Sequence, residues 1–197
     1  MLQKPDDRTI IWIFDPFGKN GKSTFAKYFL FHYSAQLLSW DNHCDLFFAR
    51  RENADKTTIL FDFTRSIPQF VDFQEFFSSI ESIKNGMVFS SKYGAGHCVT
   101  PPPHIICFSN NLPINPSYLN LDRWKLFCIG NTSKKLIPMS MSQANDFMKD
   151  HAQFNREVSK NPQKGLDIQL RESPYESFFI SPEDKTIYKL RHSILQK

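Results

Sequence analysis

The sequence predicts an α/β fold, a mostly parallel sheet with helices on both faces and a small C-terminal extension. Three observations predict it. The run Thr9-Ile10-Ile11-Trp12-Ile13-Phe14 is short, apolar and rich in β-branched and aromatic residues, as in a strand buried on both faces. Asp15-Pro16-Phe17-Gly18-Lys19-Asn20-Gly21 then breaks the run with turn formers. From Lys22 to Tyr33 the apolar residues Phe25, Phe29, Leu30 and Tyr33 recur at helical spacing.

The alternation continues along the chain. Ala35 to Trp40 reads as a short strand. Thr57 to Phe63 reads as a firm one, carrying the acid Asp62 near its end. Val71 to Lys84 reads as a helix with Phe73, Phe76, Phe77, Ile80 and Ile83 on one side. Met87 to Lys92 opens a β-hairpin. After Pro101-Pro102-Pro103, His104 to Asn110 is another buried strand, and Trp124 to Ile129 a further one. Strands alternating with helices imply a parallel sheet covered on both faces. Residues 1–139 form the expected main domain and 140–197 the extension. Within the extension, Ser142 to Val158 suits a polar helix capped by Ser140 or Ser142. Phe178-Phe179-Ile180 and Thr186-Ile187-Tyr188 suit a hairpin. No internal repeat or low-complexity tract interrupts the chain.

Composition bounds the function classes. The 197 residues suffice for one domain with a full core, and the hydrophobic and charged fractions of 41% and 22% are ordinary for a folded protein. Phe, at 20 copies, implies a large aromatic core. A net charge of +4 permits a polyanionic partner without demanding one. Cys44, Cys98, Cys107 and Cys128 form no CxxC pair and lie among apolar stretches, which suits free buried thiols in a reducing compartment. No apolar run reaches membrane-spanning length, and the N-terminus lacks the apolar core of a signal peptide. The expectation is an intracellular protein, in nucleus or cytoplasm, with no membrane partner.

Chemistry concentrates in the loop after the first strand. Gly21-Lys22-Ser23 matches the end of the phosphate-loop pattern G-x-x-x-x-G-K-[ST], with Pro16 where the first glycine would stand. Gly18 and Gly21 can take the backbone angles that turn amide hydrogens toward phosphate. Lys22 can reach the terminal phosphates, the Ser23 hydroxyl can ligate magnesium, and the helix that begins there adds its dipole. Pro16, Asn20 and Thr24 complete the predicted nucleotide contacts. The fold is therefore expected to be that of a P-loop NTPase, RecA/AAA+-like. Such a loop needs an acid at the tip of a neighbouring strand to hold magnesium, and Ile59-Leu60-Phe61-Asp62 supplies it. Asn110 ends a strand of the same shape, where its amide can position the attacking water. Arg123 follows as a cation that could reach a neighbouring subunit's nucleotide.

Together these segments resemble the superfamily 3 helicase domain of replication-associated (Rep) proteins of circular single-stranded DNA viruses, especially the nanovirus and alphasatellite branch, and of related plasmids. The similar stretches are RTIIWIFDPFGKNGKSTFAKYF, ILFDFTRS, ESIKNGMVFSSKYG, PPPHIICFSN and LNLDRWKLF, from Arg8 to Phe127, in matching order and spacing. The resemblance implies ATP and Mg2+ as ligands. It implies phosphate-loop roles for Gly21, Lys22 and Ser23, a magnesium-holding role for Asp62, a sensor role for Asn110 and an arginine finger at Arg123. It places Lys92 on a hairpin facing single-stranded DNA and implies a homo-hexameric ring moving 3′ to 5′. The family's nicking domain carries a His-hydrophobe-His motif, and this sequence, with six His, has none. The expectation is the helicase half of a rolling-circle initiator without the nicking half. The alternatives are a non-catalytic nucleotide- or DNA-binding remnant of an integrated viral Rep and an unrelated P-loop kinase.

Overall fold

The computed structural model describes residues 4–40, 42–63, 72–131 and 133–160. Its centre is a six-stranded sheet in the order β2 (Gln36–Leu38), β3 (Thr58–Asp62), β6 (His104–Ser109), β1 (Ile10–Phe14), β7 (Trp124–Ile129) and β8 (Leu136–Met139). All neighbours pair in parallel except β7 and β8. The architecture is α/β, a mostly parallel sheet flanked by helices, as in P-loop NTPases. A separate antiparallel pair joins β4 (Met87–Ser90) to β5 (Gly96–Val99).

Alternation of side chains across the sheet divides the core in two. On one face Ile10, Trp12 and Phe14 of β1 pack with Phe61, Phe76, Phe77 and Ile105. On the other, Ile13 packs with Ala26 and Phe29 of α1 (Lys22–His32), Leu60, Ile106 and Phe108. The abundance of Phe is used here. Trp12 stacks on Phe63 at 5.4 Å between ring centroids and meets Trp124 edge-on at 5.9 Å. A fully buried ring such as Phe61, Phe76 or Phe77 contributes about 1.5–3 kcal/mol of hydrophobic stabilisation.

Helix starts are set by local chemistry. Asn42 accepts from the Asp45 amide at the head of α2 (His43–Glu52), and Asp72 accepts from the Gln74 and Glu75 amides at the head of α3 (Phe73–Lys84). At α4 (Met141–Lys160), Ser140 Oγ accepts from the Gln143 amide at 3.2 Å while Gln143 Oε1 accepts from the Ser140 amide at 2.8 Å, a reciprocal cap. Ser140, of the two serines considered, is thus the cap. Ala144 and Phe147 of α4 are buried in the same core as Trp12 and Phe14.

Several expectations are refined. The strand expected over 35–40 is shorter, Gln36–Leu38, and the one over 57–63 is Thr58–Asp62. The α3 helix begins at Phe73, while Val71 lies outside the described residues. Helix α2 and strand β8 were not anticipated. The hairpin expected over 178–188 also lies outside the described residues. Among the described residues, no helix is long and apolar enough to cross a membrane.

Candidate nucleotide site

Parallel pairing brings the C-terminal tips of β1, β3 and β6 side by side. Phe14 is level with Ser109 and Asp62 with Phe108, so the loop after β1, the acid ending β3 and the asparagine after β6 share one rim. Such a rim is the usual ligand position in open α/β sheets. Two backbone bonds fix it: the Asp15 amide donates to Ser109 O at 3.0 Å, and the Phe63 amide donates to Phe108 O at 2.8 Å.

A cavity of about 420 Å³ opens there, lined by Gly18, Lys19, Gly21, Lys22, Ser23, Thr24, Asp62, Phe63 and Asn110. Most of the sequence-predicted site residues thus meet around one space. Gly21 stands at the head of α1 with φ of +87°, a left-handed conformation that disfavours any side chain. Unlike α2, α3 and α4, α1 has no side-chain cap, so its first amides face the cavity as donors. With Lys19 and Lys22 beside them, the arrangement suits an anion, and phosphate above all.

Beneath the loop lies a residue that sequence reasoning passed over. Asp15 is fully buried, and its Oδ1 accepts from the Gly18 amide at 2.9 Å and from Asn20 Nδ2 at 2.8 Å. Its Oδ2 accepts from the Asn20 amide at 3.3 Å and from the Lys22 ammonium at 3.1 Å. An acid directly after a buried strand, within a loop holding a lysine, was the signal available. Burial first, and then the Asp15 charge, pushes the neighbouring Cys128 thiol up to about 12.

Not every predicted contact lines this cavity. Asn20 is turned down onto Asp15, and its Oδ1 accepts from Lys134 of the turn between β7 and β8. Pro16 borders a second cavity of about 390 Å³, shared with Asn110, Asn111 and the α4 residues Met148, His151, Ala152 and Asn155. For magnesium, the fit rests on one carboxylate, Asp62, and one hydroxyl, Ser23, both lining the cavity. Among the described residues no group of three or more His, Cys, Asp or Glu side chains could hold a metal. A single carboxylate supplemented by phosphate oxygens and water is a usual set for magnesium.

Arg123 lies elsewhere. It immediately precedes β7, whose first residue Trp124 is level with Ile10, at the opposite end of β1 from the loop. Four strand steps, roughly 13 Å, separate it from the cavity level. Its side chain is tucked in at 8% exposure, with Nη2 2.7 Å from Glu81 Oε1 and Nη1 buried without a hydrogen-bond partner. The structure does not bring Arg123 to this chain's own site, because the strand carries the two to opposite ends.

Lys92 sits on the β4–β5 hairpin, also away from the cavity. Its ammonium donates to Asp45 Oδ1, which raises the lysine's pKa and lowers that of the carboxylate. Next to it Tyr93, at 86% exposure, leans on Phe48 at 5.1 Å. Arg51 donates to Gly94 O at 2.7 Å and lies over the Phe48 ring. On the open face of the hairpin Met87 is level with Val99, and Phe89 with His97.

No protein-family model matches the chain. Relatives do. The chain is 33% identical over 124 residues to Para-Rep C2 of the milk vetch dwarf C2 alphasatellite, covering 62% of this chain and 42% of that protein. It is 32% identical over 113 residues to the master replication protein of faba bean necrotic yellows virus, covering 57% of this chain and 37% of that protein. The master replication protein of milk vetch dwarf virus matches equally, at 32% over 113 residues. The resemblance to nanovirus and alphasatellite replication proteins is therefore borne out, and the chain spans about two-fifths of the length of these relatives.

Proposed function

We propose that this chain is an ATP-hydrolysing DNA helicase domain of a rolling-circle replication protein. One observation carries the reading: Lys22, Ser23, Asp62 and Asn110 surround a single cavity at the uncapped head of α1. The kinship with viral replication proteins supports the biological setting.

On this reading, the α1 amides and the Lys22 ammonium bind the phosphates, and Lys22 offsets charge that grows on the terminal phosphate as water attacks in line. Asn110 orients that water. Ser23 and Asp62 would hold magnesium, which would supply charge neutralisation to the phosphates. Gly18, Gly21 and Thr24 shape the cradle. Arg123, remote from its own site, would serve the nucleotide of an adjacent copy in a homo-hexamer, after leaving Glu81. Lys92 would contact single-stranded DNA through its backbone phosphates, after leaving Asp45.

The test is ATP turnover by the purified chain, with and without single-stranded DNA, beside Lys22→Ala. DNA-stimulated turnover lost in the variant is the expected result, and turnover surviving Lys22→Ala would sink the assignment. A second reading, a nucleotide binder without turnover, is favoured by the Arg123–Glu81 ion pair at 2.7 Å. Nucleotide binding with no hydrolysis at any protein concentration would select it.

A further inference from the structure

The Asp15 carboxylate is a feature the proposed chemistry does not use. It is fully buried, and a carboxylate removed from water needs partners for its charge. Its partners all come from the phosphate loop: the Gly18 amide, both nitrogens of Asn20, and the Lys22 ammonium. The labour is divided between its oxygens. Oδ1 organises the loop through Gly18 and the Asn20 side chain, while Oδ2 takes the Asn20 amide and Lys22.

Lys22 therefore faces two claims. Its side chain is nearly buried, lies 3.1 Å from Asp15, and borders the cavity where a phosphate would seek the same ammonium. The Asp15 charge both tethers that ammonium and repels an incoming anion. We propose that Asp15 is a positioning residue that acts as a built-in rival to phosphate, setting nucleotide affinity through its hold on Lys22. Binding is then an exchange: Lys22 transfers from Asp15 Oδ2 to a phosphate oxygen, and Asp15 retains Gly18 and Asn20 as the loop's base. The inference rests on the phosphate-site reading.

The substitution Asp15→Asn separates the two tasks. The new amide oxygen still accepts from the Gly18 amide and the Asn20 side chain, while the charge that holds Lys22 is gone together with the acceptor for the Asn20 amide. Calorimetric titration with magnesium ADP should show binding on the order of tenfold tighter than in the natural chain. In a Lys22→Met background the same Asp15→Asn change should tighten binding by clearly less, because the lysine whose release it favours is missing and only the direct repulsion of the anion is relieved. A purely structural role for Asp15 would not produce that dependence. Equal or weaker binding by a folded Asp15→Asn chain overturns the proposal while leaving the phosphate site standing, provided the natural chain binds ADP. If neither chain takes up ADP, both the site and the proposal fall. Should Asp15→Asn not fold, Lys22→Met alone decides. A lower melting temperature, from stranding the buried carboxylate, supports the pairing, and an unchanged one overturns it.

Discussion

The two ends of the central sheet treat their cations in opposite ways. At the C-terminal end, Lys22 and Lys19 border an open cavity, and the amides heading α1 receive no side-chain cap. At the N-terminal end, Lys84 is buried, donates to Pro103 O at 2.8 Å and lies 3.3 Å from Asp6, while Arg123 closes on Glu81. Burial holds the Lys84 pKa below its usual value, and Asp6 partly restores it. One end holds its lysine beside a cavity where a ligand can claim it from Asp15, and the other commits its cations to the chain itself. The contrast distinguishes a basic residue that can do chemistry from one that fastens a fold, even though Lys22 and Arg123 stand out equally in the sequence.

Breaking each end should therefore register most strongly in a different measurement. The largest effect is expected for Lys22→Ala, which should lower ATP turnover by roughly a thousandfold, read in a phosphate-release assay, beside a lower melting temperature from the stranded Asp15 carboxylate. At the other end, Glu81→Gln strands the buried Arg123 and should destabilise the fold by about 1–2 kcal/mol in urea titration, discounted because Glu81 is partly exposed. If Glu81→Gln instead raised turnover with concentration, Arg123 would be acting between copies. Lys92→Ala should reduce the ratio of DNA-stimulated to basal turnover by about threefold to tenfold, most visibly at low salt.

The smallest effect concerns acid. Asp45 has its pKa lowered chiefly by the hydrogen bond from Lys92, so its contact is present above the unfolded carboxylate pKa and lost as pH falls through the lowered folded value. Melting of the natural chain and of Asp45→Asn should differ slightly near neutrality and converge in strong acid. A difference that persisted there would assign the effect to Asn42 and helix capping instead.

How much was legible follows from how local each signal is. The succession β1, loop and α1 was readable because apolar run, turn formers and helical spacing follow one another within 24 residues, from Thr9 to His32. Strands β3, β6 and β7 were readable as buried runs, and their tips gave Asp62 and Asn110. Helix α2 was not, because only Leu46 and Arg50 of its residues are buried, and the adjacent Phe47 and Phe48 blur the helical period. Strand β8 was hidden by Pro138. The position of Arg123 relative to the cavity depends on the register of β7 against β1, which a single sequence does not display. Asp15 was visible as a residue, but its role arises from four donors that converge only after the loop folds back.

Strand β8 has one more effect. With β2 it forms the margins of the sheet, and both margins are poor templates for a foreign strand. Among the described residues, only Gln36, Leu37 and Leu38 are offered on one side. On the other, Pro138 has no N–H to donate. The four strands richest in Ile, Phe and Leu are thus fenced off from edge-to-edge pairing, and such fencing guards a chain this aromatic against fibrous aggregation.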